Sequence, residues 1–383
     1  MTTTATVKRD ALLEAFGLVS PALGQKAVIQ AFTCFRFRLD GGSLWVAASN
    51  NNLFLETSIP ASSVGALRAC IPAQRLTEII RNLEDVEVRF EFVNTPVPSL
   101  TIKSGRSTFR ITAILPYDAM PAPASVVGGV KEWVLPAAIF GRALSAVSHA
   151  MSQDETRATL QGVQVLFQKD LTLIAATDGR RLAHLTIPGP TGLEGGFVMP
   201  DRSVLALSRL LNGSDGVLTL NFMERFARGV YVPAAGTEGG LAFTFHCALV
   251  DGTYPDTMKV AGAPLGPTTT KVLAPASFLR EAAKRVALAG ASANATPAMR
   301  MEWAADGMEF SSQSNDFGSA NERFLAKVEG PAGKSAVNPR FLTDALASVG
   351  EKDANVTFGN SASPVRIASG DFLALVMPVR GSE

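Results

Sequence analysis

Ile71-Pro72-Ala73-Gln74-Arg75-Leu76, Met199-Pro200-Asp201-Arg202-Ser203-Val204 and Asn338-Pro339-Arg340-Phe341-Leu342 each set a proline at the mouth of an amphipathic helix. The three prolines, Pro72, Pro200 and Pro339, stand at nearly equal intervals. An earlier helix start repeats with them, its matching apolar positions Leu12, Phe140 and Phe278 keeping almost the same spacing. A hairpin turn at Asp40-Gly41, Lys169-Asp170 and Asp306-Gly307 recurs near that interval too. Three landmarks in one order at one spacing make a threefold repeat. Its period is far longer than the roughly 20–50 residues of a solenoid repeat, so each copy is expected to be a domain with its own core.

Each copy reads the same way along the chain. A first helix is predicted over 9–20, 136–150 and 275–289, where apolar residues such as Phe140, Leu144 and Val147 recur at three- and four-residue steps. Alternating strands follow, as over 31–39 and 162–167, joined by tight turns. The second helix begins with its proline at or near the first turn, where a missing N–H costs nothing. Asn212-Gly213 and Gly350 stop the second and third of these helices. Further strands, including 99–112, 240–250 and 365–377, close each copy. Stretches 116–129 and 261–270 are rich in Pro, Gly, Ser or Thr and read as linkers. The expected domains are 1–128, 129–264 and 265–383, each an α+β unit of two helices packed on about six antiparallel strands.

A chain of 383 residues with 47% apolar and 18% charged residues can bury several cores. No apolar run approaches the roughly 18 residues needed to span a bilayer, and the N-terminal stretch lacks the apolar run of a signal peptide. A cytoplasmic protein without membrane partners is expected. Cys34, Cys70 and Cys247 show no CxxC spacing and read as small buried hydrophobes. Net charge is only +1, so affinity for a polyanion would need uneven distribution of charge.

Catalytic signals are sparse. His149, His184 and His246 form no metal-ligand pair, and no phosphate loop, nucleophile elbow or HExxH occurs. Asp178, in Thr177-Asp178-Gly179 after the apolar run Leu173-Ile174-Ala175-Ala176, is the one carboxylate that suggests an active site. The same pattern also reads as a strand-ending turn. No catalytic residue, cofactor or metal is expected.

The stretch Ala176-Thr177-Asp178-Gly179-Arg180-Arg181-Leu182-Ala183 resembles a signature of the bacterial sliding clamps, the beta subunits of DNA polymerase III. So do Lys103-Ser104-Gly105-Arg106-Ser107-Thr108-Phe109 with Leu115-Pro116, Leu249-Val250-Asp251-Gly252-Thr253-Tyr254-Pro255-Asp256, and Val376-Met377-Pro378-Val379-Arg380. These segments fall in the family's order and cover nearly the whole chain. The resemblance implies a head-to-tail dimer whose six similar domains form a ring around duplex DNA, without catalysis. A closed heterologous interface of this kind joins a second copy of the chain. Such a ring should meet phosphates through cations and avoid reading bases.

On the six helices that would line the hole, Lys8, Arg9, Arg75, Arg81, Arg142, Arg202, Arg209, Arg280, Lys284, Arg285 and Arg340 are eleven cations. Against them stand six anions, Asp10, Glu14, Glu78, Asp201, Glu281 and Asp344. The balance is +5 there and −4 over the remainder, the segregation a ring around DNA needs. The resemblance implies DNA contacts at Lys26, Arg81, Arg142, Gln153, Arg202, Arg209, Arg280 and Lys284. Beside Gln153, Ala158-Thr159 stand where the family often carries aromatic residues, which removes a stacking surface for single strand.

By the same resemblance, polymerase, clamp loader and repair or translesion factors dock short linear peptides in one cleft. That cleft would comprise Leu160, Thr177, Gly179, Arg180, Arg181, Leu182, Pro255, Val260, Leu375, Met377, Pro378, Val379 and Arg380. Leu, Val, Pro and Met would form its apolar floor, with Arg181 and Arg380 at the rim. Arg180 replaces a histidine common in the motif, and Pro364 a small polar residue. Ring closure would join Arg75, Ile79, Leu83, Arg106 and Phe109 to the third domain near Leu288. The edge there, 314–322, has few carboxylates. Two other readings stay open: an enzyme built on Asp178, and a specialised clamp paralogue with restricted partners or weak ring closure.

Overall fold

A computed structural model describes residues 2–24, 29–94, 97–123, 131–237, 240–290, 298–314 and 318–379. Its helices are α1 (Arg9–Val19), α2 (Ala73–Arg81), α3 (Ala137–Ser148), α4 (Asp201–Leu211), α5 (Thr257–Gly262), α6 (Ala276–Ala287) and α7 (Pro339–Val349). Among the described residues none is long and apolar enough to cross a membrane. All but α5 lie within a few residues of the expected helices. The prolines sit slightly earlier than expected. Pro72 and Pro275 are the N-caps of α2 and α6, and Pro136 and Pro200 end the strands that run into α3 and α4. Only Pro339 is a first-turn residue. A proline closing a strand gives up no ladder hydrogen bond when it is the last residue, and its fixed φ turns the chain into the helix.

The chain divides into two compact units, Met1–Gly141 with Leu205–Leu249, and Arg142–Val204 with Val250–Glu383. The first contains a five-stranded antiparallel sheet in the order Ser62–Val64, Thr2–Lys8, Glu87–Val93, Ser99–Ser104, Ser107–Ile111. Its nine-stranded sheet runs Leu115–Pro116, Leu67–Pro72, Cys34–Asp40, Ser43–Ser49, Leu53–Pro60, Phe243–Ala248, Phe226–Pro233, Gly216–Phe222, Lys131–Pro136. Leu12, Phe16 and Val19 of α1 and Leu76 and Ile80 of α2 are buried, and the Phe16 ring stacks on Phe35 with centroids 4.5 Å apart. Gly141 permits a close approach, since a Cβ there would lie 2.3 Å from the backbone nitrogen of Asn212.

The second unit has a nine-stranded sheet in the order Gly195–Pro200, Gly162–Phe167, Leu171–Thr177, Arg181–Pro188, Phe372–Val376, Val365–Ser369, Asp353–Phe358, Thr270–Pro275, Lys327–Glu329. A four-stranded sheet follows the order Gly318–Phe324, Gly307–Ser314, Met299–Ala304, Gly333–Val337. Leu279, Ala282, Ala283 and Val286 of α6 and Leu342, Ala345 and Leu346 of α7 are buried in this unit.

Three sequence expectations need correction. The strands number ten over 2–116, eight over 131–248 and nine over 270–376 among the described residues, where about six per copy were expected. The excess includes the short strands feeding each first helix. The 99–112 segment is a hairpin turning at Gly105 and Arg106, and the strand expected from residue 31 starts at Cys34 after a turn of 3-10 helix. The sheets also run across the expected copies. Phe243–Ala248 pairs with Leu53–Pro60, and Phe372–Val376 with Arg181–Pro188, so strands of the middle copy serve both nine-stranded sheets. The three cysteines are buried as expected, and burial pushes the Cys70 thiol up to about 11.

Candidate functional site

The strand Leu171–Thr177 ends in a turn held by its own side chains. Thr177 Oγ1 donates to the Arg181 carbonyl at 2.7 Å and accepts from Gly179 N–H at 3.1 Å. Asp178 Oδ1 accepts from the Arg180 and Arg181 N–H groups at 2.8 and 2.9 Å. This is the local turn that an Asp side chain forms by capping the backbone that follows it. Gly179 takes φ 86°, which a residue bearing Cβ adopts only at a cost. Arg157 Nη1 donates to the Asp178 carbonyl at 3.2 Å.

Arg181 is not the free rim cation expected from the sequence. Its Nε donates to Asp178 Oδ2 at 3.1 Å and its Nη1 to Asp344 Oδ2 of α7 at 2.8 Å. The guanidinium also lies over the Phe341 ring, 4.3 Å from the centroid, and the side chain is only 11% exposed. A planar fork between two carboxylates and an aromatic face is held by geometry as well as charge. Asp178 is correspondingly committed, both oxygens accepting hydrogen bonds within the turn, which leaves no free carboxylate for an active site there. Beside this cluster lies His149, whose Nδ1 is 3.4 Å from Ser348 Oγ. Burial, aided by Arg181, pushes the imidazole down to about 4.

The apolar part of the site lies beside the turn. Leu182 pairs with Leu375 across the sheet, and both pack with Ala261 of α5. Leu160, Val198 and Tyr254 form a second buried cluster. The Tyr254 hydroxyl accepts from Thr177 N–H at 3.1 Å and donates to the Gly162 carbonyl at 3.3 Å; burial pushes its pKa up to about 12. Met377 N–H donates to the Arg180 carbonyl at 2.9 Å, Pro378 bridges to Val337, and Val379 N–H donates to the Ala336 carbonyl. Met258, Val260 and Met377 are left 36, 52 and 43% exposed. Pro255 and Arg180 are exposed as well. The structure therefore brings the predicted cleft residues into one unit, with Leu160, Thr177, Leu182 and Leu375 as buried floor. Arg380 lies outside the described residues.

Helix α5 is absent from the sequence expectations. Asp256 caps it by accepting from Lys259 N–H at 2.9 Å, and this Asp before Met258, Val260 and Ala261 is the available signal. Asp344 and Phe341 are likewise absent as Arg181 partners, because a contact between such distant parts of the chain leaves no local pattern.

Three family models match the chain in order: the N-terminal domain of the DNA polymerase III beta subunit over residues 3–123, the central domain over 134–256 and the C-terminal domain over 267–380. The chain belongs to the DNA polymerase III beta subunit family. It is 26% identical over 389 residues to the beta sliding clamp homolog GriR of Streptomyces muensis, covering 98% of each chain. It is 25% identical over 382 residues to the beta sliding clamp of Caulobacter vibrioides, covering 94% of this chain and 95% of that one. The DNA polymerase sliding clamp of Bacillus subtilis superposes with a TM-score of 0.88 at 22% identity, covering 99% of this chain and 100% of that one. A Pseudomonas aeruginosa sliding clamp bound to griselimycin gives 0.87 at 22% identity over the same shares.

On this beta subunit's helices, Arg81, Arg142, Arg202, Arg209 and Lys284 are exposed and Arg280 is half-buried. Arg280 and Lys284 share the carboxylate of Glu281, and Glu322 takes Arg285 at 2.6 Å. Among the described residues Arg81, Arg142, Arg202 and Arg209 form none of the ion pairs. Gln153 is exposed; Lys26 lies outside the described residues.

Of the residues expected at the subunit edge, Leu83, just past the end of α2, is only 4% exposed and packs into the core of its own unit. Phe109 and Leu288 are 39 and 77% exposed, Arg75 and Arg106 are exposed, and Ile79 is half-buried. Among the described residues, the outermost strands Ser107–Ile111 and Gly318–Phe324 have one sheet neighbour each. Of the edge predicted to be acid-poor, 315–317 lie outside the described residues, and Glu322 is engaged by Arg285.

Proposed function

We propose that the chain is a DNA sliding clamp that encircles duplex DNA and tethers the replicative polymerase and other clamp-binding proteins for processive replication. The observation that carries this reading is the run of all three beta-subunit domains, in order, along one chain. Each domain is proposed to follow the boundaries 1–128, 129–264 and 265–383. Two copies close head to tail, the edge strand Ser107–Ile111 of one meeting Gly318–Phe324 of the other, with Phe109, Arg106, Arg75, Ile79 and Leu288 around the seam. Unpaired strand edges are natural partners for one another because both present free backbone donors and acceptors.

Duplex DNA is held without reading its sequence. Arg81, Arg142, Arg202, Arg209, Arg280 and Lys284, with Lys26 and Gln153, supply contacts to phosphate, so binding falls steeply with salt while enclosure keeps the ring in place. Partner peptides of the polymerase, clamp loader and repair or translesion factors seat apolar anchors on Leu160, Leu182, Val260, Leu375 and Met377. Pro255, Pro378 and Val379 extend this surface, and Thr177, Gly179 and Arg180 offer backbone and charge at its edge. Arg181 braces the turn and, with Arg380, flanks the surface on which the peptide lies. The work is done in the cytoplasm, with no chemistry by the clamp itself.

The test is topological. Loaded onto nicked circular DNA by a clamp loader, the protein should be retained through gel filtration and released when the circle is linearised. Equal retention before and after linearisation would refute enclosure. A specialised paralogue is the second reading, favoured by Arg180 in place of histidine. It predicts a ring that binds only some of the cell's clamp-binding peptides.

A further inference from the structure

The turn that builds the partner cleft occurs twice. At the sheet junction of the first unit, where Leu53 pairs with Cys247 and Phe54 with His246, the chain repeats the junction of the second unit, where Arg181 pairs with Val376 and Leu182 with Leu375. Asn51 N–H donates to Ser49 Oγ at 3.2 Å, as Gly179 N–H does to Thr177 Oγ1. Asn50 Oδ1 accepts from the N–H groups of Asn52 and Leu53 at 3.1 and 2.9 Å, as Asp178 Oδ1 does from Arg180 and Arg181. Ala248 N–H donates to the Asn52 carbonyl at 2.8 Å, as Met377 N–H does to that of Arg180. Beside the turns, Leu115 pairs with Cys70 where Val250 bridges to Val198. The turn residues and Cys70 all precede their counterparts by one constant interval, that from Asn51 to Gly179.

Asn51 holds φ 78° where Gly179 holds 86°, and among the described residues it is the only non-glycine at positive φ. Asparagine tolerates that region best among residues with a Cβ, yet it still carries a strain that the surrounding hydrogen bonds must offset. Next to this turn is a cavity of about 150 Å³, lined by Phe32, Phe54 and Phe226 and by the polar Ser49, Asn51, Asn52 and His246. Phe32 precedes Leu160 by the same interval and so takes the same place relative to the turn. Phe226 is 39% exposed, whereas Phe32 and Phe54 are buried, so the cavity has an open wall and a closed floor. A cavity of about 150 Å³ has room for a ring the size of benzene, and its wall here is mixed, aromatic on one part and polar on another. The guanidinium chemistry of the second unit is missing here, since Leu53 and Asn52 occupy the places of Arg181 and Arg180.

We propose that this cleft is a second docking site for a short, uncharged linear peptide, one aromatic side chain filling the cavity while the Asn51 and Asn52 amides hydrogen-bond its backbone. The proposal rests on reading the first cleft as a peptide site, because shared architecture supplies the ligand class. Aromatic walls and a neutral rim select an aromatic anchor over an acidic one.

The probe is the peptide acetyl-Gln-Leu-Ser-Leu-Phe-amide, titrated calorimetrically into the full-length protein up to about 1 mM, where a binding free energy near −4 kcal/mol is still detected. Wild type should show two sites per chain. Met377→Ala should remove one of them, and Phe226→Ala should weaken the other at least about tenfold. Asn52→Glu, at an exposed position, repeats the second test without touching an apolar wall. A single site, lost in Met377→Ala and unchanged in both Phe226→Ala and Asn52→Glu, overturns the second cleft and leaves the first standing. A single site that survives Met377→Ala and is lost in Phe226→Ala supports the second cleft and removes the first. No binding at either overturns both.

Discussion

Arg181 and Asp344 are joined at 2.8 Å across 163 residues, linking the turn after Thr177 to helix α7. Arg181→Leu would leave Asp178 and Asp344 facing each other without their shared cation. Breaking a largely buried pair on one side costs about 3–5 kcal/mol, and the partial exposure of Asp344 brings the expectation to about 2–3 kcal/mol. Denaturant melts of Arg181→Leu, Asp344→Asn and the double variant should give a coupling above about 1 kcal/mol. Additive losses would mean that the pair does not hold the turn.

His149 sets an acid limit on the same cluster. Its folded pKa, about 4, lies below the ordinary histidine value of roughly 6.5, so the unfolded chain binds more protons between these pH values. Its contribution is therefore complete above about pH 6.5 and is lost as pH falls toward 4, by about 3 kcal/mol in all. Urea midpoints at pH 7.5, 5.5 and 4.5 should fall in that order. His149→Gln should flatten the trend; an equally steep decline in that variant would assign it to other groups.

Tyr254→Phe removes the acceptor for the Thr177 N–H and the donor to the Gly162 carbonyl. Buried groups stranded in this way cost about 1–3 kcal/mol. The expected result is a lower melting temperature and weaker peptide binding, since the turn loses its anchor from below. Binding that weakens with no change in melting would place the hydroxyl in contact with peptide instead.

Phe109→Glu puts a charge on the edge strand Ser107–Ile111, which is exposed at every residue but the buried Ile111. The chain should melt as wild type but sediment as a monomer. Arg285→Ala should free Glu322 on the other edge strand, whose carboxyl the Arg285 guanidinium holds below its usual range. Dimerisation of wild type should respond little to salt, because exposed pairs contribute only roughly 0–1 kcal/mol each. A dimer constant that collapses between low and high salt would contradict this.

The helices, the tight turns and the order of the motifs were legible because each is written in local pattern: the three-and-four spacing of Phe140, Leu144 and Val147, or the Asn212-Gly213 stop. The sheets were not. Nothing near Leu53–Pro60 announces that its partner strand begins at Phe243, since backbone pairing is indifferent to most side chains. Of the candidate site, the sequence supplies the residues but not what surrounds them. Arg181 looks like a surface cation until Asp344 and Phe341 are placed around it. Leu83 looked available for the same reason, as a sequence records an apolar residue without recording what already covers it.

The pairing of Leu53–Pro60 with Phe243–Ala248 also fixes a timetable for biosynthesis. At about 5–20 residues per second, a ribosome needs roughly 10–40 s to deliver the second strand after the first. Through that interval a hydrophobic strand waits with one flank of its backbone unsatisfied, the condition under which nascent chains pair wrongly with one another. Until Phe243–Ala248 has emerged, that flank of the N-terminal copy has no native strand to pair with.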